Sequence, residues 1–444
     1  VGIAAGSVVA LSFRFLGIFL WGIVGVLTAR TLSVDERGVY ASAVVATSAI
    51  GGISSFGAAM GYFVANQKRD PGEATGNAMI MAGPFAILVA LGGLALGAVI
   101  GGDNGRIVSV SGLILLPNIV RATLSGPILA RDQLTRFNIV GNLPVLVGFA
   151  FLALWVGVLE NRTAGDALIA WTSAQYVSLF PLLWWSPPWL RWLRLHRPDP
   201  ALMRAILRFT FVTGLGGIVG LLNYRVDLVL VVSLDSREGA GIYSSAIAVA
   251  EALWLFSSAI AMASFARVAA VDRDEAARLT ATGVRHTLLA VTVGGIFTAL
   301  LAPAAVELLF GRDYRDAATP LRILCIGTAL FAPQGLFANY FVNQLGRPSI
   351  QLALAAFALL LSVVAGFVLI PRYGTAGAAW ATTISYGATC AAACGLFLWL
   401  SGSRFTDLWR LRASDIHSYF RLAREILSGR FLDDLRSNSR QGRG

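Results

Sequence analysis

Twelve apolar stretches of close to twenty residues or more, separated by short polar junctions, run through almost all of this chain. About twenty such residues carry an α-helix across the ~30 Å hydrocarbon core of a bilayer. Lipid offers a bare backbone no hydrogen bonds, so stretches of this kind fold as helices. Breaks at Gly, Pro and charge clusters place them near 3–29, 39–66, 76–100, 107–130, 137–158, 167–186, 208–233, 241–266, 284–302, 318–343, 349–370 and 374–400. Composition agrees: 56% of residues are hydrophobic and 13% charged, against about 25% charged in soluble proteins.

The net charge of +11 therefore does not point to nucleic acid. It sits in short junctions and in the tail, where membrane lipids attract it. Twelve spans put both ends of the chain on one side. Counted with that side inside, 23 of the 35 Lys and Arg fall on inner junctions and the tail, and nine on outer junctions. Both termini are expected to be cytoplasmic. Trp184, Trp185, Trp189 and Trp192 beside Arg191, Arg194 and Arg197 read as an aromatic belt at the same interface. In the tail, 401–444, Phe405, Leu408, Trp409, Ile416, Phe420 and Leu427 recur among arginines at roughly helical spacing, the pattern of a basic amphipathic helix lying on the inner leaflet. The chain starts at Val1, and a short preceding piece is expected; no cleavable signal peptide is evident.

The chain repeats itself. Gly38-Val-Tyr-Ala-Ser-Ala43 matches Gly241-Ile-Tyr-Ser-Ser-Ala246, 203 residues on. Asp132-Gln-Leu-Thr-Arg136 matches Asn343-Gln-Leu-Gly-Arg347 at 211, and Thr163-Ala-Gly165 matches Thr375-Ala-Gly377 at 212. An offset that drifts slowly in one direction is that of a duplication. Six spans per half give both halves one orientation, related by an axis along the membrane normal. The expected fold class is an all-α polytopic membrane protein of about 12 transmembrane helices, as two parallel six-helix lobes around a central cavity. The expected divisions are 1–186, a basic cytoplasmic linker 187–207, 208–400, and the cytoplasmic tail 401–444.

Three arginines, Arg14, Arg121 and Arg225, fall in the middle of apolar stretches. A charge at that depth costs at least about 2.5–3.5 kcal/mol, so each must face the protein interior or a watery cavity. They are expected to converge on one cavity between the lobes. Gly17, Trp21 and Gly25 share the face of Arg14, and Asn118 and Ser125 stripe with Arg121. Asp227, two residues from Arg225, points away from it unless the helix unwinds, for which Gly214, Gly216 and Gly217 make local irregularity plausible. The repeat sets Ser48 opposite Glu251, so the halves differ electrostatically there. Arg14, Arg121, Arg225, Asp227, Glu251 and Asn118 are the candidate substrate-binding residues. A cationic cavity of arginines suits a phosphate, which a guanidinium grips bidentately; clamps between helices are the competing use of the same residues. Tyr62, Asn66, Asn142, Gln175, Gln334 and Asn339 offer contacts to sugar or, more commonly, bonds between helices.

Catalysis finds little support. The sequence carries no paired carboxylates, metal motif or nucleophile constellation. Cys325, Cys390 and Cys394 imply no disulfide framework, and His196, His286 and His417 match no metal spacing. Neither a cofactor nor a metal is expected.

A family resemblance follows from several short motifs in order. Arg37-Gly-Val-Tyr40, Val226-Asp-Leu-Val-Leu230 with Gly241-Ile-Tyr243, Leu309-Phe-Gly-Arg-Asp-Tyr314 with Leu321-Arg-Ile-Leu324, and Pro371-Arg-Tyr-Gly-Thr-Ala-Gly-Ala-Ala379 resemble stretches of bacterial polysaccharide-export flippases. These belong to the multidrug/oligosaccharidyl-lipid/polysaccharide (MOP) exporter superfamily, and the likeness covers nearly all of residues 1–400. It implies a flippase of the bacterial plasma membrane, moving a polyprenyl-(di)phosphate-linked oligosaccharide to the outer leaflet by alternating access. The implied partners are a lipid-linked anionic glycan, membrane lipids, and a glycan polymerase with its export machinery. Two alternatives stand beside it: an ion-coupled multidrug exporter of the same superfamily, which needs buried carboxylates, and a membrane-embedded glycan polymerase.

Overall fold

The computed structural model describes residues 3–53, 56–159, 163–184 and 198–409. Most of the expected linker and nearly all of the expected tail lie outside the described residues. Nine helical runs among those described are long and apolar enough to cross a membrane. One of them, Pro348–Ser401, has 54 residues, about 80 Å of helix at 1.5 Å per residue. That is far more than one crossing needs, and it breaks at Gly374, whose φ of 54° and ψ of −132° suit glycine alone. It is thus two passes. Val34–Ile53 with its continuation to Asn66, and Ala164–Val177 with Leu179–Trp184, complete twelve.

The passes in order are Ile3–Thr31; Val34–Ile53 continued by Gly61–Asn66; Pro71–Ile100; Gly102–Ala130; Leu134–Leu152 with Ala153–Val158; and Ala164–Val177 with Leu179–Trp184. The second half follows with Pro200–Asn223 and Val226–Leu234; Arg237–Ala252 and Trp254–Ala270; Arg273–Leu300; Ala318–Phe331 with Gln334–Asn339 and Tyr340–Gln344; and the two passes within Pro348–Ser401.

Local chemistry sets the helix starts. Asp70 caps the third pass through the Glu73 amide, with Pro71 at its first position. Asp199 and Pro200 repeat the device at the seventh pass, and Asp272 caps the ninth. Between the caps the helices face outward with bulk: Leu88, Leu91 and Leu96 of the third pass are all more than half exposed. A belt of large exposed apolar side chains is the surface lipid requires. The molecule is a multi-pass membrane protein.

Contacts between the halves are reciprocal. The first pass lies along Trp254–Ala270 of the eighth, and Pro200–Asn223 of the seventh lies along the second. At one end of this seam the halves are bonded together. Phe63 and Phe209 pack in one core with Ala269, and Gly61 brings the second pass so close that a Cβ there would sit 2.5 Å from Asn343 and 2.6 Å from Phe265. Asn66 Nδ2 donates to the Ala269 carbonyl at 3.0 Å and to Gln344 Oε1 at 3.1 Å. Lys68 Nζ donates to the Ala270 carbonyl at 2.6 Å, and Arg267 reaches Asp132 Oδ2 at 3.1 Å. Lys68 and Asp132, with φ of 56° and 57°, are the non-glycine residues of positive φ among those described. Both strained positions thus carry a side chain across the seam.

One sequence expectation shifts. The seventh pass does break, but at Tyr224–Arg225 rather than at its glycines. Gly214, Gly216 and Gly217 stay helical, because a backbone at membrane depth keeps its hydrogen bonds; what Gly216 and Gly217, with Gly220, contribute to the chamber wall is the missing side chain. The tail begins with a short helix, Phe405–Trp409, whose Asp407 carbonyl accepts from Arg285 of the ninth pass at 2.6 Å.

Candidate functional site

Arg121 lies deep in the fourth pass and is only 8% exposed. Its guanidinium is held by three neutral acceptors. Nη2 donates to Asn118 Oδ1 at 2.7 Å, one turn back on the same helix, and to Gln175 Oε1 at 2.5 Å; Nη1 donates to Ser178 Oγ at 3.1 Å. Gln175 ends the longer segment of the sixth pass, and Ser178 sits at the break that follows it. Five N–H groups are available on a guanidinium, so Nε–H and one Nη1–H are left over. No carboxylate pairs with Arg121 among the described residues. A buried cation held only by neutral dipoles keeps its full charge for a guest.

That guest has space. Arg121 and Asn118 line a chamber of about 240 Å³ with Ser48, Gly51, Ser125 and Gly141. Ser48 also borders a larger chamber of about 540 Å³, walled by the glycine face of the seventh pass, Asn223, Gln334, Gln351 and Thr389. Ser48 is the residue the two chambers share: the rest of the smaller one's wall comes from the first half and the rest of the larger one's from the second.

The second half treats its charges differently. Arg225, set free of the helix by the break, turns to Glu251 at 3.7 Å. Asp227 is buried and saturated: it accepts from Tyr243 Oη at 2.9 Å, Thr382 Oγ1 at 3.0 Å and the Leu228 amide at 2.8 Å. Asp227 and Glu251 share the wall of a pocket of only about 20 Å³ with Tyr224, Trp254 and Tyr386. That holds about one water-sized guest and no organic substrate.

The expected convergence of three arginines on one cavity is thus not what the structure places. Arg121 and Asn118 come together at the chamber wall. Arg225, Asp227 and Glu251 come together behind it in the second half. Arg14 lines neither chamber and makes no hydrogen bond or ion pair among the described residues; its side chain is exposed on the first pass. Sequence reasoning missed Ser178, Tyr243, Thr382 and Tyr386. Tyr243 had one signal, since it sits in the repeated Gly-Ile-Tyr motif.

No family model matches the chain. It is similar to the capsular polysaccharide biosynthesis protein CapF of Staphylococcus aureus, 25% identical over 198 residues, which is 44% of this chain and half the length of that relative. An uncharacterized membrane protein of Methanocaldococcus jannaschii, MJ1068, is 29% identical over 101 residues, 23% of this chain and a fifth of that one. Among solved structures, a MATE in complex with MaL6 superposes with a TM-score of 0.76 at 13% identity, covering 90% of this chain and 96% of the other. The outward-facing conformation of a multidrug resistance MATE family transporter of the MOP superfamily gives 0.74 at 14%, covering 90% and 95%. A MOP superfamily transporter from Pyrococcus furiosus, described as having a binding pocket of reverse polarity, gives 0.77 at 14%, covering 90% and 95%. The chain has the fold of MATE transporters of the MOP superfamily.

Proposed function

We propose that this chain is a flippase that carries a polyprenyl-(di)phosphate-linked oligosaccharide across the plasma membrane by alternating access, for surface polysaccharide biosynthesis. The observation that carries the reading is Arg121: a buried guanidinium with no carboxylate partner among the described residues, on the wall of a chamber lined by the first half. The likeness to CapF over half of that relative's length adds the polysaccharide. On this reading residues 1–186 and 208–400 are the two rocking lobes, joined by 187–207. The Lys68 end and both termini are cytoplasmic, and the tail 401–444 rests on the inner leaflet. A glycan polymerase and its export partners receive the product. Moving an anion out of a negative interior is favoured by about 2.3 kcal/mol per charge per 100 mV, so the membrane potential alone can drive a phosphate headgroup outward.

An ion-coupled drug exporter is the competing reading, and the MATE fold keeps it in play. It needs carboxylates facing a drug-sized cavity. Asp227 and Glu251 face a pocket of about 20 Å³ instead, and the cation Arg121 faces the chamber.

The test is flipping of a fluorescent polyprenyl-diphosphate oligosaccharide in proteoliposomes, with equal amounts of folded protein. Arg121→Gln is expected to lose it, and Arg121→Lys to keep a fraction, since an ammonium lacks the planar fork. Full flipping by Arg121→Gln would overturn the reading, as would efflux of an organic cation with no flipping.

A further inference from the structure

Two passes end in π turns where the halves are bonded. At the end of the second pass the Gln67 amide donates to the Tyr62 carbonyl, five residues back, at 2.9 Å. At the end of the tenth the Leu345 amide donates to the Tyr340 carbonyl at 3.0 Å. Such turns are rare, and they break the regular ladder of the helix, so they persist where the placement they produce is used. These two meet across the seam, through Asn66 and Gln344.

Two rings cross the same seam in opposite directions. Tyr62 of the first half lies over Gly346 of the second, where a Cβ would overlap the ring. It also stacks on Phe209 of the seventh pass, with centroids 5.5 Å apart. Phe265 of the second half lies over Gly61 of the first, where a Cβ would sit 2.6 Å from the ring. That is closer than packed atoms come, so each ring fills space that only a glycine leaves. Tyr62 and Phe265 are 203 residues apart, the offset at which Gly38-Val-Tyr-Ala-Ser-Ala43 matches Gly241-Ile-Tyr-Ser-Ser-Ala246. They are one position of the duplication, used twice.

We propose that Tyr62 and Phe265 are the paired bolts of a gate at the Lys68 end of the seam, each seated on a glycine of the opposite half, and that the two seats set how long that end stays shut. The gate needs only two halves that part, whatever passes between them. The packing of the second half agrees. Pro200–Asn223 and Trp254–Ala270, the segments of the seventh and eighth passes that reach the Lys68 end, meet the first half. Beyond the breaks in those passes, Val226–Leu234 and Arg237–Ala252 pack within their own half. The gate is thus shut in this structure. A gap of about 1 Å already forfeits up to about half of a dispersion contact, so a ring is either seated or free, and the gate has two states.

The experiment measures the distance across this end with spin labels at Thr135 and Asp274, exposed positions of the two halves. It uses the whole chain, freed of its native cysteines, in nanodiscs. The wild type is expected to show mainly the short distance of the shut gate. Gly61→Ala should raise the ratio of parted to joined molecules about tenfold by unseating Phe265, as an overpacked contact does. The backbone at Gly61 has no positive φ that would strain an alanine. Gly346→Ala should part the halves at least as far, and Tyr62→Ala should part them too. The double variant Tyr62→Ala/Gly346→Ala should go no further than Tyr62→Ala alone, because without the ring nothing meets the new methyl. A double variant that opens further would trace the effect of Gly346 to its left-handed backbone and overturn that seat. Should a glycine variant not fold, Phe265→Leu withdraws a bolt instead and must raise the parted fraction. Folded glycine variants, or a folded Phe265→Leu, with the wild-type distances would overturn the gate. No lipid substrate enters the measurement, so its outcome is separate from that of the flippase reading.

Discussion

The first half sets a buried cation on the wall of a chamber, whereas the second half pairs Arg225 with Glu251 and closes Asp227 among neutral donors beside a pocket with room for about one water. Arg121 rests on Asn118, Gln175 and Ser178, none of them ionised. Arg225 is turned to Glu251, and Asp227 is closed by Tyr243, Thr382 and a backbone amide. The duplication makes the contrast sharper, because Glu251 in the second half corresponds to Ser48 in the first. Where one half has an acid, the other has a small hydroxyl on the wall of both chambers. A mid-membrane charge is thus not by itself a mark of a binding site; what marks it is the absence of a counter-charge where there is room for a ligand.

The heaviest blow to this contrast is Arg121→Gln. Flipping should fall by two orders of magnitude or more, since a charge-assisted pair with phosphate is worth roughly twice a neutral hydrogen bond and sits out of water. If Arg225→Ala at matched folded protein does equal damage, the contrast between the halves is broken. Ser48→Glu comes next. It gives the first half the acid of the second, on a wall shared with Arg121, and should lower flipping about tenfold by pairing with the guanidinium. Unchanged flipping would mean that Ser48 faces no ligand. Asp227→Asn acts on stability: one of the three donors around it meets an N–H₂, which costs about 1–3 kcal/mol. The unfolding temperature in detergent should drop, with flipping per folded molecule largely kept; loss of flipping at full stability would make the second half's acid a working part. The smallest effect belongs to Arg267→Ala, which removes a partly exposed pair worth about 1 kcal/mol or less. Its reading is accessibility. A cysteine introduced at Ala65, in a background without the native cysteines, should react with an impermeant thiol reagent a few-fold faster once the pair is gone.

Much of the fold was legible because lipid leaves a chain so few options. The twelve passes follow from apolar length, and the expected boundary between 349–370 and 374–400 falls at Gly374; the capped starts at Asp70, Asp199 and Asp272 were missed, because polar first turns put the expected starts at 76, 208 and 284. Unwinding of the seventh pass was named only as the condition for Arg225 and Asp227 to point the same way, with Gly214, Gly216 and Gly217 as its place, and the structure keeps those glycines helical. The site was legible only where it is local. Asn118 and Arg121 are one turn apart and read directly off the sequence. Gln175 and Ser178 meet Arg121 from 54 and 57 residues away, and Thr382 meets Asp227 from 155. No spacing rule reaches that far.

The bonded end of the seam has a consequence for how the protein answers its surroundings. Asn66, Lys68, Asp132 and Arg267 join the halves at the rim, where the lysine and the Arg267–Asp132 pair are open to water. Pairs of that kind weaken as ionic strength rises, because the Debye length shrinks from about 10 Å at 0.1 M to about 3 Å at 1 M. The left-handed backbone at Lys68 and Asp132 pulls the same way, since unlatching lets two residues return to commoner conformations. On the rocking mechanism proposed above, salt on that one side of the bilayer acts as a throttle, easing the halves apart without touching either chamber.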